Sequence, residues 1–195
     1  MRNFVIFSRK GVTSPDFSLN DLPGSGGRMD LVCRCVNSAL WISHGIRTDT
    51  NIYIVLNGPP DPPITIVFKG DSIKRVSPDE RNIASWIKKA IAFAKGKEWT
   101  KVQNGILSSK KSFQDVIREL KDNPIYVLHE NGKFLDEIEI KKNPVFVLGD
   151  HIGLPKKEEL FVKRFNYERI SLGKTSYLAS HCITIMNYEM DKRRI

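Results

Sequence analysis

Three short loops in the last third of the chain carry residues whose types and spacing could do chemistry. They span residues 128–132, 149–155 and 171–176, and each follows an apolar run typical of a buried strand. Ligands bind at the carboxyl ends of strands in open parallel sheets. The loops could therefore form one pocket, whose free backbone N–H and C=O groups would recognise an adenine. Their Gly and Pro residues could equally do no more than turn the chain.

A second candidate is the carboxylate of Asp61, which stands between two proline pairs in residues 58–63. Four prolines fix φ and remove four backbone donors, so this segment predicts a stiff connector. A stiffly mounted carboxylate suits a group that accepts or orients a proton. The alternative is an ordinary solvated aspartate in a turn.

Several common sites are excluded by their missing motifs. The chain contains no GxxxxGK[ST], no GxGxxG after a strand and no GxSxG, which argues against a P-loop, a dinucleotide site and an α/β-hydrolase. Its three cysteines form no CxxC, and no HxxxH occurs, so we expect no metal site. Cys182 has only His181 as a basic neighbour, and we expect it to pack or to contact a cofactor rather than to act as a nucleophile.

The charge balance favours a polyanionic partner. The 195 residues include 31 Lys or Arg and 22 Asp or Glu, a net charge of +9, which is typical of a protein that binds RNA or DNA. A Lys-rich surface of a heat-adapted protein is the alternative. Arg28 and Arg34 lie within about 120° of each other on a predicted helix and could flank a single-stranded or flipped-out nucleotide. With Arg9 they are the candidate RNA-binding residues.

The elements that must position these residues alternate along the chain. The apolar patterns predict strands over 3–8, 51–57, 64–69, 125–129, 144–149 and 167–172, and helices over 28–44, from Ser77, from Ser112, from Pro155 and over 176–190. Nearly continuous apolar strands between helices indicate an α/β fold with a mainly parallel sheet. No linker or repeat divides residues 1–195, so one domain is expected.

Composition also bears on location. There is no apolar run of about 18 residues, so no membrane span is expected. The N-terminus turns polar too soon for a signal peptide, and the odd number of cysteines favours a reducing compartment. We therefore expect a cytoplasmic protein.

Four segments carry a family resemblance. Residues 147–155 and 171–182, with 27–34 and 58–61, closely resemble the TrmY group of SPOUT RNA methyltransferases, which are archaeal tRNA pseudouridine-54 N1-methyltransferases. The resemblance extends over essentially the whole chain. It implies a Rossmann-like, mainly parallel sheet with a C-terminal trefoil (α/β) knot, which is a rare exception to the rule against threaded chains. The knot and the cofactor pocket would occupy about residues 125–195.

The resemblance further implies S-adenosylmethionine as cofactor and tRNA as substrate, methylated on N1 of pseudouridine 54 in the T-loop. The residues it carries over to the cofactor pocket are Leu128, Gly149, Leu154, Ile170, Ser171, Leu172, Ser176 and Cys182. It also implies a homodimer packed through the knot. The last predicted helix is apolar around much of its circumference, which fits burial in such a dimer interface. Two alternatives stay open: a SPOUT pseudouridine N1-methyltransferase acting on ribosomal RNA, and a non-catalytic RNA-binding α/β protein.

Overall fold

An eight-stranded sheet runs through the protein, whose computed structural model describes residues 1–195. The strands of the chain are β1 Arg2–Ser8, β2 Trp41–Ile42, β3 Gly45–Ile46, β4 Thr50–Leu56, β5 Ile64–Lys69, β6 Thr100–Gln103, β7 Ile106–Ser109, β8 Ile125–Phe134, β9 Val145–Gly149 and β10 Tyr167–Ser171. In the large sheet they are ordered β10-β8-β9-β1-β4-β5-β7-β6, and β2 and β3 form a separate pair. Neighbours from β10 to β4 are parallel, whereas β5, β7 and β6 are added antiparallel. The helices are α1 Met29–Leu40, α2 Glu80–Phe93, α3 Phe113–Glu119, α4 Lys156–Val162 and α5 Ala179–Arg193.

Helices cover both faces of the sheet, and this is why its central strands are apolar throughout. All seven residues of β1 are buried. Phe4 and Ile6 pack with α1, α2 and α5 in the larger core, while Val5 and Phe7 pack on the other face with α3 and α4. Successive side chains of a strand point to opposite faces, so burial on both sides requires a continuous apolar run. The predicted α/β architecture is confirmed.

Two parts of the chain differ from the pattern-based expectation. Helix α1 ends at Leu40, not near His44, because Trp41 turns extended and β2 pairs with β3 across a turn in which His44 has φ 64°. Strands β6 and β7 were not expected, since residues 100–109 are largely polar. The Asn-Gly pair between them is a hairpin signal that could have revealed them.

Helix boundaries follow local capping chemistry. Helix α2 is capped by Asp79, whose side chain accepts from the N–H of Asn82, and not by the expected Ser77. Helix α3 follows Ser112, where the sequence predicts a helix start, and Ser112 and Asp115 form a capping box there. In α4, the helix predicted from Pro155, an apolar residue would be expected to face the core, but Leu160 is 61% exposed.

The C-terminal strands are joined irregularly, and this shapes the site. Strand β10 pairs with β8 through Arg169 and Val127, and then jumps to Ile170 and Lys133. Residues 128–132 are thereby expelled from the ladder as a bulge, although β8 continues beyond them. The connection from β8 to β9 lies over α5, where Arg193 donates hydrogen bonds to the carbonyls of Leu135 and Ile138. None of the helices combines the length and the apolar character needed to cross a membrane.

Candidate active site

A cavity of about 660 Å³ opens at the bulge within β8 and at the carboxyl ends of β9 and β10. Its walls come from the bulge after Val127, the loop after β9 and the loop after β10, with Leu31 of α1 as a further wall. Its volume lies within the range of small-molecule sites, ~300–1,000 Å³. The three loops singled out from the sequence therefore do meet in one place.

Seven of the eight residues expected to contact a cofactor line this cavity. They are Leu128, Gly149, Leu154, Ile170, Leu172, Ser176 and Cys182. The eighth, Ser171, is buried behind the wall. Its hydroxyl accepts a hydrogen bond from the N–H of Gly173 at 3.2 Å, so it shapes the third loop and does not face the cavity.

The second loop folds back tightly over the end of β9. A Cβ built on Gly149 would lie 2.1 Å from the carbonyl carbon of Gly153 and 2.2 Å from the nitrogen of Leu154. Real Cβ atoms never approach backbone so closely, and thus only glycine permits this fold. The buried Asp150 carboxylate supports it by accepting the N–H groups of Ile152 at 2.9 Å and Arg9 at 2.7 Å. Sequence reasoning missed Asp150, whose signal is its place directly after a strand.

Arg28 and Arg34 converge on one buried carboxylate. Arg28 donates to both oxygens of Asp30, at 3.0 and 3.1 Å, and Arg34 donates to Oδ2 at 2.6 Å. Burial opposes ionisation of Asp30, but these hydrogen bonds outweigh it and hold its pKa below the ordinary value. The hydrogen bond to Asp30 raises the pKa of Arg28, and the charge of Asp150 adds to that rise. Both arginines stay more than one third exposed, at 38% and 37%, and so can meet a partner.

Arg9 lies at the cavity rim, since its Nε donates to the carbonyl of Gly153 at 3.2 Å. Asp61 does not line the cavity. Its side chain is 77% exposed and forms an ion pair with Lys110 at 2.8 Å. Thr13 connects the proline-rich segment to the cavity rim. Its hydroxyl accepts a hydrogen bond from the N–H of Asp61 at 2.8 Å, and residues 9–13 run from Arg9 at the rim to Thr13.

Comparison with known proteins bears directly on this site. A family model described as "Putative SAM-dependent RNA methyltransferase" matches residues 1–195, where SAM denotes S-adenosylmethionine. The chain belongs to this family. It is 47% identical over 196 residues to the tRNA (pseudouridine(54)-N(1))-methyltransferase of Methanococcus maripaludis strain C5, covering 98% of this chain and 99% of that protein. The protein of the same name from Methanocaldococcus jannaschii is 44% identical over 203 residues, covering 100% and 98%.

The fold of this family member is also found among solved structures. The crystal structure of Archaeoglobus fulgidus Nep1 bound to S-adenosylhomocysteine matches with a TM-score of 0.70 at 13% identity, covering 100% of this chain and 99% of that one. A TrmH-family RNA methyltransferase structure from Porphyromonas gingivalis matches with a TM-score of 0.50 at 14% identity, covering 97% and 59%. The SPOUT fold class expected from the sequence is confirmed.

The cavity of this SAM-dependent family member suits that cofactor. No Lys or Arg lines it, whereas Glu130 and Asp150 do, so a cationic sulfonium meets no like charge. Apolar side chains such as Leu128 and Leu172 offer walls for an adenine ring. The backbone N–H groups of Thr175 and Ser176 form no hydrogen bond within the chain and stay available to a ligand.

Cys182 reaches the cavity wall as a thiol. Burial raises its pKa to about 11, so it is protonated at neutral pH. Its Sγ lies 3.8 Å from the carbonyl oxygen of Tyr177. A protonated thiol without a basic partner is a poor nucleophile, which agrees with a packing or contact role.

Proposed function

We propose that this protein transfers a methyl group from S-adenosylmethionine to N1 of pseudouridine at position 54 in the T-loop of tRNA. The observation that carries the proposal is the cavity at the bulge of β8 and the ends of β9 and β10, within a chain that matches pseudouridine-54 N1-methyltransferases over almost its full length. The uninterrupted sheet supports residues 1–195 acting as a single domain.

The cofactor would be held by the three loops, with Leu128, Leu154 and Leu172 along the ring system and free N–H groups of the third loop near its polar atoms. When bound, S-adenosylmethionine supplies an electrophilic methyl group on a sulfonium. The chain itself has to hold the cofactor, orient the base and remove a proton.

Proton removal is required because N1 of pseudouridine carries a hydrogen and has no free lone pair for attack. We propose the Asp61 carboxylate as the acceptor. The connector holds it rigidly, and Lys110 pairs with Oδ2 at 2.8 Å. Residues 9–13 bridge the connector to the cavity rim, through Asp61 N–H to Thr13 and Arg9 to Gly153. The connector follows β4, which runs parallel to β1 and β9, so the connector and the cavity lie at the same edge of the sheet.

RNA would be held by Arg9, Arg28 and Arg34. Guanidinium groups bind phosphate through paired N–H donors. Asp30 restrains both Arg28 and Arg34 through hydrogen bonds of 2.6 to 3.1 Å, so their charged ends are ordered before RNA arrives. Less side-chain entropy is then lost on binding.

We also propose a homodimer and a cytoplasmic location. Tyr177, Leu178 and Tyr188 are 46%, 53% and 63% exposed around α5, beside the cavity, and apolar groups of this size are usually covered by a partner. A second copy would cover them, and sedimentation should then give about twice the 22.3 kDa chain mass. The three cysteines are free thiols, in keeping with a reducing compartment.

The function is tested by incubating the protein with tRNA and labelled S-adenosylmethionine and locating the methyl group by mass spectrometry. One methyl on the T-loop pseudouridine is expected, and a tRNA with uridine at that position should remain unmodified. Methylation of ribosomal RNA alone would favour the first alternative. Failure to bind S-adenosylmethionine at high micromolar concentration would favour a non-catalytic RNA-binding protein.

The role of Asp61 is tested by Asp61→Asn, which keeps the size of the side chain but removes its basicity. Turnover at saturating cofactor should fall by about 10²- to 10⁴-fold, the usual contribution of a general base. Cofactor affinity should stay within about twofold, because Asp61 does not line the cavity. Asp122→Asn is a matched control at an exposed aspartate outside any ion pair. Full turnover in Asp61→Asn would remove this residue from the mechanism.

A further inference from the structure

A second concave surface lies at the opposite end of the sheet from the cavity. It is a depression of about 460 Å³ lined only by polar residues, namely Lys74, Arg75, Lys101, Gln103 and Asn104. We call it the basic depression. It is built from the segment after β5 and the β6–β7 hairpin, which the sequence separates by some thirty residues but the sheet brings together.

The three cations of the basic depression are uncompensated. Lys74, Arg75 and Lys101 are exposed and take part in none of the fourteen ion pairs of the chain. The nearest acidic residues in sequence, Asp71 and Glu98, line no part of the depression, and the Asp71 carboxylate accepts a hydrogen bond from Ser72. By contrast, Arg28 and Arg34, which flank the cavity residue Leu31, both have a carboxylate partner. The basic depression therefore presents net positive charge with amide donors beside it.

The depression is also held rigidly. Gln103 Nε2 donates to the carbonyl of Lys74 at 2.8 Å, and the N–H of Lys69 donates to the carbonyl of Gly105 at 2.8 Å. Gly105 has φ +78°, and a Cβ there would lie 2.3 Å from the backbone of Ile73. Only glycine allows this contact, so the backbones of the two segments are held together and the chain positions that carry the three cations keep their spacing.

The need to protect an edge strand from pairing with other chains does not account for all three cations of the basic depression. A lysine on an edge strand such as β6 discourages pairing with other chains, which is a sufficient reason for Lys101. Lys74 and Arg75 lie outside any strand, however, and have no edge to protect. Three cations and two amides around one depression match a chain of phosphate groups, which needs several donors and point charges.

We propose that the basic depression binds the phosphate backbone of the RNA substrate at a second point, outside the arm that carries the methylated nucleotide. This inference rests on the proposed function for the identity of that RNA. The depression and the cavity are about five strand spacings apart and at opposite ends of the strands, which amounts to roughly 30 Å. A folded tRNA extends far enough to contact both, whereas a hairpin containing the T-arm alone reaches only the cavity side.

The test is RNA binding by a variant with Lys74→Ala, Arg75→Ala and Lys101→Ala combined. The control combines Lys121→Ala, Lys141→Ala and Lys142→Ala. It removes the same charge from exposed residues in the segments that precede β8 and β9, outside the basic depression. Affinity for full-length tRNA and for a T-arm hairpin is measured by fluorescence anisotropy across a salt series. Thermal melting checks that both variants fold, and a Lys101→Gln single variant repeats the measurement with minimal change.

For full-length tRNA, the depression variant should bind about tenfold or more weakly, and its log–log salt slope should fall by about one per lost contact, to a total of roughly three. The control should change affinity by less than about twofold, and the hairpin should bind both variants alike. Equal losses in variant and control, an unchanged variant, or equal losses for tRNA and hairpin would each overturn the proposal. Binding is scored separately from methyl transfer, so a protein that binds tRNA but methylates none would refute only the proposed function.

Discussion

Replacing Gly149 by alanine places one methyl group where the structure has no room for it. The new Cβ would stand 2.1 Å from the carbonyl carbon of Gly153 and 2.2 Å from the nitrogen of Leu154. Ordinary van der Waals contact begins near 3.4 Å, so the loop over residues 150–154 must retreat by more than 1 Å. Both clashing atoms belong to the backbone, and no side chain can rotate away to relieve the strain.

The cost of this clash can be estimated from overpacking in tightly packed sites, which is about 1–3 kcal/mol. The loop lines the cavity through Ile152, Gly153 and Leu154, so its retreat acts on cofactor binding. If this whole free-energy cost opposes cofactor binding, the affinity for S-adenosylmethionine falls by roughly 5- to 150-fold. Leu154 of this loop packs against the smaller core, so any part of the cost that falls on the fold lowers the melting temperature, by about 2–4 °C per kcal/mol for a chain of this size.

Isothermal titration of S-adenosylmethionine into wild-type and Gly149→Ala protein measures the effect. Gly96→Ala is the control, since a Cβ at that glycine has nothing within 4 Å. An unchanged affinity in a folded Gly149→Ala protein would refute the inference that the second loop shapes the cofactor site.

Two further predictions concern titratable groups. Cys182→Ser should keep methyl transfer within a few-fold of wild type, because burial raises the pKa of this thiol to about 11 and leaves it protonated; loss of all turnover with normal cofactor affinity would contradict that. At Asp115, burial opposes ionisation, but hydrogen bonds from Ser112 and Lys97 outweigh it and lower the pKa from 3.8 to about 2. The ionised carboxylate therefore stabilises the fold above pH 4 by up to roughly 2 kcal/mol, and this is lost as pH falls through about 2. Urea unfolding should show Asp115→Asn less stable than wild type at pH 7 and closer to it near pH 2.5. A difference in unfolding free energy between the two proteins that does not change with pH would contradict this explanation.

Local patterns predicted a large share of this fold, because they record constraints that act over a few residues. An apolar run such as β1 must be buried on both faces, and a cap such as Ser112 satisfies donors within its own turn. The three turn-rich loops after strands were therefore visible in the sequence. The hairpin of β6 and β7 escaped notice, since its strands are short and polar and are stabilised by pairing with β5.

The sequence by itself predicted that three loops meet in one pocket, since strand ends in a parallel sheet converge by geometry; the individual cofactor residues came from the family resemblance. Only the tertiary structure decided what surrounds the charged groups. It set Asp30 between Arg28 and Arg34, paired Asp61 with Lys110, and gathered the basic depression from segments distant along the chain. Charge interactions depend on distance in space, and the register and order of strands set that distance.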